Sequence, residues 1–587
     1  MKTGGAGLTL AVLTLFVACG GDYGRGGGVA TADFGRFCED ALARVDAFIG
    51  RAESEWSAPD STRYGGTAVV GAIGELTNGM NHFVTSNYET NDHQQFVNLM
   101  TLLQYDSTLA MQPYLAESWE VDDLEAPSAI TFHVRPDVFW HDGFKVDAED
   151  VAFTYRTITD TATAYPNLSM FDHYVRGPEG VEVIDSLTVR IRLARPHAEY
   201  MDPWPSVVIM PHHLLEDVPV TQLQQHPYGT QCPVGNGPFV FVEHRTQESW
   251  TFKANPVFPN VLGGRPHLDH YVYRVIPEQT TLLTDLLTEN IDVYINPRAD
   301  QTPQIEASPR LTLLHYTWPA YTLVAWNSRR PWFADARVRR AMSIAVDRRK
   351  IVEAQLRGYG SLANTGVNPL HFAYDPSLAD ELAYDPVVAR RLLEEAGWLD
   401  RDGDGLRENA DGEPFEFTLK YNQGNQRRAD IAEIMQAQLA EVGVRVRPQV
   451  LEFGTMIAQM TSQERDFDAA IFGWNTGIGR LDETALFHSD KAGEPYAMTG
   501  TNDPRIDQLL DTLQLVIDRE DAARFWHEYQ HVILEQQPYT YIYFDDRLDG
   551  VNKRLRGVQM DARGEWINIK DWWIPAEERR RQRGLTR

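Results

Sequence analysis

The chain has 587 residues, of which 43% are hydrophobic and 23% are charged, as is typical of a globular protein of several domains and not of a disordered or fibrous chain. Acidic residues outnumber basic ones by 83 to 54, and a net charge of −29 would repel a polyanion, which argues against nucleic-acid binding. No internal stretch approaches the ~20 apolar residues that a membrane-spanning helix needs. Composition therefore favours a large acidic protein outside the membrane.

The N-terminus predicts export. One basic residue, Lys2, precedes an apolar run over residues 8–18, which has the length of a signal-peptide core. The run ends in Val17-Ala18-Cys19, and small residues before a cysteine resemble the lipidation motif of bacterial lipoproteins. We expect residues 1–18 to be a signal peptide, Cys19 to be lipidated, and residues 19–62 to form a lipid-anchored linker and N-terminal extension. The alternative is a signal peptide without a lipid.

Two further cysteines, Cys38 and Cys232, complete the cysteine content of the chain. An exported protein with an even pair of thiols can form a disulfide, so Cys38–Cys232 is a candidate bridge. Two separate thiols are the alternative, because the sequence carries no geometry.

The first half of the chain has several segments typical of strands. Residues 65–71 read as an opening strand, and residues 129–134 and 186–193 alternate apolar with polar residues. Asp147 precedes a helical stretch, and its carboxylate is suited to cap the first free amide groups.

The second half alternates strands with helices. Residues 414–421, 444–450 and 466–474 are predicted strands, and residues 428–442 place apolar side chains on one helical face. This order is typical of parallel α/β packing, in which ligands bind beyond the carboxyl ends of the strands.

Those strand ends carry aromatic and amide side chains. They are Tyr421 and Asn422 after one strand, and Trp474, Asn475 and Thr476 after another. Such a set suits a ligand-binding cleft. The alternative is that these residues only form turns.

A literal H-E-x-x-H sequence occurs at His527, Glu528 and His531. This spacing places two imidazoles on one helical face, as in zinc metallopeptidases, so a metallopeptidase is the alternative function. The apolar stripe of the same helix includes Tyr529 and Val532 and points away from both histidines, which indicates a coincidental match.

An acidic loop resembles the first half of a calcium-binding loop. Its carboxylates are Asp400, Asp402 and Asp404, but Asp411 stands where such a loop ends in glutamate. Calcium is thus the one candidate cofactor, and a solvated turn rich in aspartate is the alternative.

Several motifs together resemble the extracellular solute-binding proteins of family 5, the oligopeptide, dipeptide and nickel type. The matching segments occur in order over about residues 65–560 and lie at 115–120, 131–135, 139–143, 148–151, 233–239, 335–347, 384–386, 396–398 and 536–539.

The resemblance implies an α/β fold with two lobes, the class II-like periplasmic-binding-protein fold, and an extra subdomain in lobe I. We expect lobe I over residues 63–315, lobe II over 316–543, and a return to lobe I with a basic tail over 544–587. The implied function is solute binding without catalysis, with a membrane ABC permease as partner. The implied state is a monomer in the periplasm or at the outer face of the cell membrane.

The resemblance also suggests ligand-contacting positions. Trp474 matches the family's pocket tryptophan, and Asn327 is a further single-residue match to the family. In typical peptide binders an aspartate follows three residues after the tryptophan, where this chain has Gly477; Asp482 is the nearest acid downstream. We therefore expect a neutral polar ligand to bind better than a free peptide. Sugars, opines and metal chelates are alternatives, as is a cleft that binds nothing.

Overall fold

The computed structural model describes residues 34–59, 62–84, 87–168, 171, 174–476, 478 and 481–579. Cys19, the signal segment and Gly477 lie outside these residues. The strands are β1 (Thr67–Ala72), β2 (Leu103–Tyr105), β3 (Met111–Pro113), β4 (Ala116–Val121), β5 (Ala129–Val134), β6 (Val181–Asp185), β7 (Thr188–Arg192), β8 (Phe239–Arg245), β9 (Ser249–Ala254), β10 (His270–Val275), β11 (Val293–Ile295), β12 (Leu311–Trp326), β13 (Gly360–Leu362), β14 (Glu416–Asn422), β15 (Arg445–Leu451), β16 (Ala469–Asn475) and β17 (Tyr539–Asn552). The helices are α1 (Phe34–Glu55), α2 (Tyr88–His93), α3 (Ala148–Thr159), α4 (His212–Leu215), α5 (Tyr228–Gln231), α6 (Gln279–Leu287), α7 (Thr302–Glu306), α8 (Ala336–Ile344), α9 (Arg348–Leu356), α10 (Pro386–Glu395), α11 (Gln426–Glu441), α12 (Phe453–Thr461), α13 (Thr484–Phe487), α14 (Pro504–Leu513) and α15 (Arg519–Gln536).

Two long antiparallel strands, β12 and β17, run through the middle of the main sheet. On one side of them lie β16, β14 and β15, and on the other lie β11, β1, β10, β9 and β8. The pairing of β12 with β17 shifts register between Thr317 and Tyr321, near the middle of both strands. Both expected lobe boundaries, 315/316 and 543/544, fall inside these two strands, which therefore connect the lobes.

The α/β prediction for the second half is confirmed in detail. β14 pairs in parallel with both β15 and β16, and α11 connects β14 to β15. The carboxyl ends of β14 and β16 consequently meet at one edge of the sheet. In the first half, β5 spans residues 129–134 as expected, and Asp147 caps α3 by accepting from the amides of Glu149 and Asp150.

The packed cores separate into two groups along the chain. One group lies between residues 41 and 311 and between residues 551 and 574. The other lies between residues 321 and 544. A separate four-stranded sheet, in the order β4-β5-β7-β6, belongs to the first group and packs under α3.

Part of residues 19–62, the expected linker and N-terminal extension, is the packed helix α1. α1 buries Ala41, Val45 and Ile49 in the core of lobe I. Cys38 on α1 is bonded to Cys232, with 5.2 Å between their Cα atoms and a separation of 194 positions in the sequence. The disulfide thus joins the N-terminal helix to the body of lobe I.

The motif at 335–347 and Arg348, the residue that follows it, have structural roles in lobe II. Arg339 is 4% exposed and donates to the carbonyl oxygens of Gln536 and Phe333, at 2.8 and 2.6 Å. Arg348 is 2% exposed and donates to the carbonyl oxygens of Ala363, Tyr541 and Leu382. Because these carbonyls belong to separate segments, the two guanidinium groups tie helices α8 and α9 to β17 and its neighbours.

The glycine-rich motif at 233–239 also has a packing role. A Cβ atom at Gly235 would lie 1.9 Å from the carbonyl oxygen of Asn98, so only glycine permits this approach. His141 binds this loop, since it accepts from the Gly235 amide and contacts the Gly237 carbonyl oxygen. Burial lowers the pKa of His141 to about 4, which keeps its ring neutral and able to accept.

Among the described residues, no helix combines the length and apolar character needed to cross a membrane.

Candidate ligand-binding cleft

The two lobes meet across a cleft that is closed in this structure. Away from the connecting strands, hydrogen bonds between described residues cross it. The Ala198 amide donates to the Gln514 carbonyl oxygen at 2.8 Å, and the Leu481 amide donates to Oε1 of Glu199 at 3.0 Å. Ala198 and Glu199 belong to lobe I, whereas Leu481 and Gln514 belong to lobe II. The cleft is therefore bounded by the connecting strands on one side and by these contacts on the other.

A cavity of about 400 Å³ lies between the lobes. This volume is within the range of small-molecule sites, which runs from about 300 to 1,000 Å³. Its walls combine aromatic, amide and hydroxyl groups from both lobes. Aromatic, amide and hydroxyl side chains among its lining residues are Tyr88, Asn91, Gln95, Tyr105, Phe171, Tyr174, Ser206, Trp318, Asn475 and Thr476.

The lobe II wall includes the carboxyl end of β16. Asn475 is the last residue of β16, and Thr476 follows it. The Thr476 amide and hydroxyl both donate to the carbonyl oxygen of Pro319, at 2.7 and 3.0 Å, which fixes this edge against the strand β12. Asn475 and Thr476 are the two predicted ligand-contacting residues that line the cavity.

The lobe I wall is formed in part by α2. Tyr88, Asn91 and Gln95 lie three or four residues apart, so they share one face of this helical segment. Asn87 precedes the helix and caps it by accepting from the Thr90 amide at 3.0 Å. This face and Asn475 both line the cavity.

Two charged residues also line the cavity, Asp202 and Arg563. The Tyr105 hydroxyl donates to Oδ1 of Asp202 at 3.3 Å, and burial raises the pKa of Tyr105, with the Asp202 charge adding to the effect. The Arg563 guanidinium donates twice to Asp561, at 2.8 and 2.6 Å, which partly balances its charge. The cavity thus offers one carboxylate and one paired guanidinium.

Trp474 lies outside the residues that line this cavity. Its indole packs on Phe472 and Tyr496, with ring centroids 5.5 and 5.8 Å away, in a core of lobe II. Successive side chains of a strand lie on opposite faces of the sheet, so Trp474 does not share a face with its neighbour Asn475. The indole NH lies 3.4 Å from the Tyr539 hydroxyl.

Four other predicted residues have contacts elsewhere. Asn327 is 1% exposed and donates to the carbonyl oxygens of Arg465 and Phe467. Asn422 accepts from Arg428 at 2.7 Å, and Tyr421 packs against a core of lobe II. Asp482 accepts from the Thr484 amide at 2.9 Å, at the start of α13. These contacts hold loops in place, and the role of Gly477 stays a prediction.

The H-E-x-x-H sequence lies on α15, as expected from its helical pattern. This helix buries Trp526, Tyr529 and Val532, whereas the His531 side chain is 55% exposed. Its Nε2 lies 4.0 Å from Asp375, and Glu528 is exposed. The helix therefore directs the motif toward its outer face.

The acidic loop has a different set of neighbouring carboxylates from the one expected. Ligand atoms of Asp400, Asp402 and Glu408 lie within 4.8 Å of one another, whereas Asp404 is outside this group. Asp400 accepts from the Gly403 and Gly405 amides, and Asp404 accepts from the Leu406 amide. These bonds are those of an aspartate-rich turn, and calcium binding stays a prediction.

Known proteins with similar sequences cover most of the chain. The oligopeptide-binding protein AppA of Bacillus subtilis is 29% identical over 535 residues, which is 90% of this chain and 96% of that protein. The heme-binding protein A of Haemophilus influenzae is 26% identical over 479 residues, 79% of this chain and 84% of that protein.

Solved structures share the fold. The structure of Bacillus subtilis AppA in complex with a nonapeptide has a TM-score of 0.74 at 29% identity, and the match covers 88% of this chain and all of that one. NikZ from Campylobacter jejuni in complex with Ni(L-His) has a TM-score of 0.72 at 22% identity, over 86% of this chain and 99% of that one. The expected two-lobe binding-protein fold is confirmed.

Residues 110–493 match the family described as bacterial extracellular solute-binding proteins, family 5 Middle. The match covers well over half of the chain, and it agrees with the relatives above and with a cavity enclosed by two lobes. The function is substrate binding for an ABC importer, and the metallopeptidase alternative has no support among these relatives. This chain belongs to the bacterial extracellular solute-binding proteins of family 5.

Proposed function

We propose that the protein captures a short peptide or another small polar solute in the cavity between its lobes and delivers it to a membrane permease. The observation that carries this proposal is the cavity of about 400 Å³ whose wall is shared by α2 of lobe I and the end of β16 of lobe II. A ligand that touches both walls binds the closed state better than the open one, and this difference is what drives closure.

The lining indicates the ligand chemistry. Aromatic rings of Tyr88 and Trp318 offer apolar contact, and the amide and hydroxyl groups of Gln95, Asn475 and Ser206 can both donate and accept. Peptide bonds and sugar hydroxyls present the same combination. The relatives are named for oligopeptides and heme, and one solved neighbour holds a nickel–histidine complex, so ligand classes differ widely on this fold.

Isothermal titration calorimetry against di-, tri- and nonapeptides, each with a free or an acetylated amino terminus, tests the ligand class. From the neutral lining contributed by Asn475 and Thr476 we expect the acetylated forms to bind at least as tightly as the free ones. Micromolar binding that is lost on acetylation would show that an acidic group anchors the ligand's ammonium. Asp202→Asn then identifies whether that group is the carboxylate in the cavity wall.

We also propose that Cys19 is lipidated and anchors the protein to the outer face of a membrane. The support is the short apolar run that ends in Val17-Ala18-Cys19. Cys19→Ala should move the protein from the membrane fraction to the soluble fraction and abolish labelling with radioactive palmitate. Unchanged partitioning of this variant would contradict lipidation.

A further inference from the structure

Four charged side chains are buried together next to the cavity, where α2 meets β17. They are Asp92 at 5% exposed, Asp549 and Glu565 at 0%, and Arg547, whose side chain is 14% exposed. Three carboxyls therefore face one guanidinium. If all were ionised, two negative charges would be left without a balancing charge in a site that water does not reach, at a cost of several kcal/mol each.

The hydrogen bonds of Tyr88 show where a proton is held. Its hydroxyl oxygen lies 2.9 Å from Oδ2 of Asp92 and 2.8 Å from Oε2 of Glu565. A phenol has a single hydrogen to donate. It can satisfy one of the two carboxylates, and the second short contact is attractive only when the other carboxyl is protonated and donates to the phenol oxygen.

The ion pair of Arg547 decides between the two carboxyls. Nε of Arg547 donates to Oε1 of Glu565 at 2.5 Å, which favours an ionised Glu565. Tyr88 then donates to Glu565, and Asp92 is the group that carries the proton. Burial raises the pKa of Asp92 well above its usual value, and the charge of Glu565 raises it further, in agreement with this assignment.

We propose that Asp92 is a positioning residue that stays protonated in the native protein and, by donating to Tyr88, holds the Tyr88 ring in the wall of the ligand cavity. The guanidinium of Arg547 lies 5.6 Å from the Tyr88 ring and 5.1 Å from the Trp318 ring, so both aromatic wall residues rest on the same charged cluster. The part of this proposal that concerns ligand affinity rests on the proposed function.

The surroundings of Asp92 determine how pH acts on it. Burial, the charge of Glu565 and the charge of Glu89 on the same helix disfavour a negative charge on Asp92, whereas the Tyr88 hydroxyl and the Arg547 guanidinium favour it. One step away, Asp549 accepts from the Tyr316 hydroxyl at 2.9 Å and belongs to the same cluster. As the pH rises, loss of the Asp92 proton therefore removes a hydrogen bond and places two carboxylates around Tyr88.

Infrared spectroscopy of the ligand-free protein at neutral pH tests the site of the proton, since a protonated carboxyl absorbs apart from carboxylates. Asp92→Asn should remove one buried protonated carboxyl from the spectrum, and the matched variant Glu565→Gln should not remove it. A band that survives in Asp92→Asn and disappears in Glu565→Gln would overturn the assignment. The wild-type spectrum alone shows whether a band of a protonated carboxyl exists. Absence of this band from the wild-type spectrum would overturn the proposal even if a variant fails to fold.

Binding of trialanine from about pH 6 to about pH 9 tests the positioning role. We expect wild-type affinity to fall with rising pH more steeply than that of Asp92→Asn, because only the wild type can lose the Asp92 proton that holds Tyr88. The α-amino group of trialanine also titrates, with a pKa of about 8, but it does so equally with both proteins, and Asp92→Asn keeps a donor to Tyr88 at every pH. Equal pH dependence in both proteins would refute positioning by the Asp92 proton. Failure of trialanine to bind at any pH would count against the peptide function. The infrared result would still show whether Asp92 carries the proton.

Discussion

The indole of Trp318 packs edge-on against the phenol ring of Tyr88, with 5.1 Å between the ring centroids. Trp318 lies on β12, next to the register shift at the centre of the connecting strands, and Tyr88 begins α2 of lobe I. Both rings line the cavity. A rotation of the lobes about the connecting strands would therefore directly displace two side chains that line the cavity.

Trp318→Ala should weaken ligand binding about twofold to tenfold, because an aromatic contact contributes about 0.5–1.5 kcal/mol beyond the buried area. Calorimetric titration with a peptide that binds the wild type measures the effect. Trp474→Ala is the matched control, since this indole packs in lobe II outside the cavity. Comparable losses of affinity in the two variants would argue against the cavity as the binding site.

Glu199→Ala should favour the open protein, because it removes the acceptor for the Leu481 amide across the cleft. Small-angle scattering of the ligand-free variant should give a larger radius of gyration than the wild type. Glu216→Ala, which changes an exposed carboxylate on lobe I, is the control and should leave the radius unchanged. Equal radii of gyration for the wild type and Glu199→Ala would mean that this contact does not contribute to closure.

Cys38→Ser should lower the free energy of unfolding by about 2–4 kcal/mol, the usual contribution of a disulfide that closes a long loop. Chemical denaturation measures the loss, and limited proteolysis should cut more readily near α1. The double variant Cys38→Ser with Cys232→Ser should lose no more than the single one, since both remove the same bond. Additive losses would indicate two independent thiol environments.

Glu483→Gln should flatten the pH dependence of stability in lobe II. Burial raises the pKa of Glu483 to about 7, and its Oε2 accepts from the Tyr529 hydroxyl at 2.7 Å. A carboxyl with a raised native pKa stabilises the fold at low pH, and this contribution is lost as the pH rises from about 4.5 to about 7, by at most about 1.4 kcal/mol per pH unit. Urea unfolding at several pH values measures the slope. The exposed Glu494→Gln should retain the wild-type slope, and a wild-type slope in Glu483→Gln would contradict the assignment.

Much of the fold could be predicted because the relevant signals are local. The alternation of residues 129–134, the cap at Asp147 and the strand–helix–strand pattern after residue 414 each depend on neighbours in sequence. The strand-end rule likewise identified Asn475 and Thr476 in the cavity wall.

The rest of the site depends on contacts between distant segments. Tyr88, Trp318 and Arg547 meet although more than 200 residues separate each from the next, and no local pattern marks them as neighbours. Trp474 is expected in the pocket because its position in the sequence matches the family's pocket tryptophan, but its ring packs in a core of lobe II and is not among the residues that line the cavity. Asn327 likewise resembled a binding residue, and its amide instead holds a buried loop.

Native mass spectrometry of the protein purified from its own host tests solute capture between the lobes most directly. The account predicts one small ligand per wild-type chain, released on unfolding and bound again by the refolded protein, with markedly lower occupancy in Trp318→Ala than in Trp474→Ala. Wild-type protein that carries no ligand and takes up none from the host's peptide and solute extract would contradict the central claim.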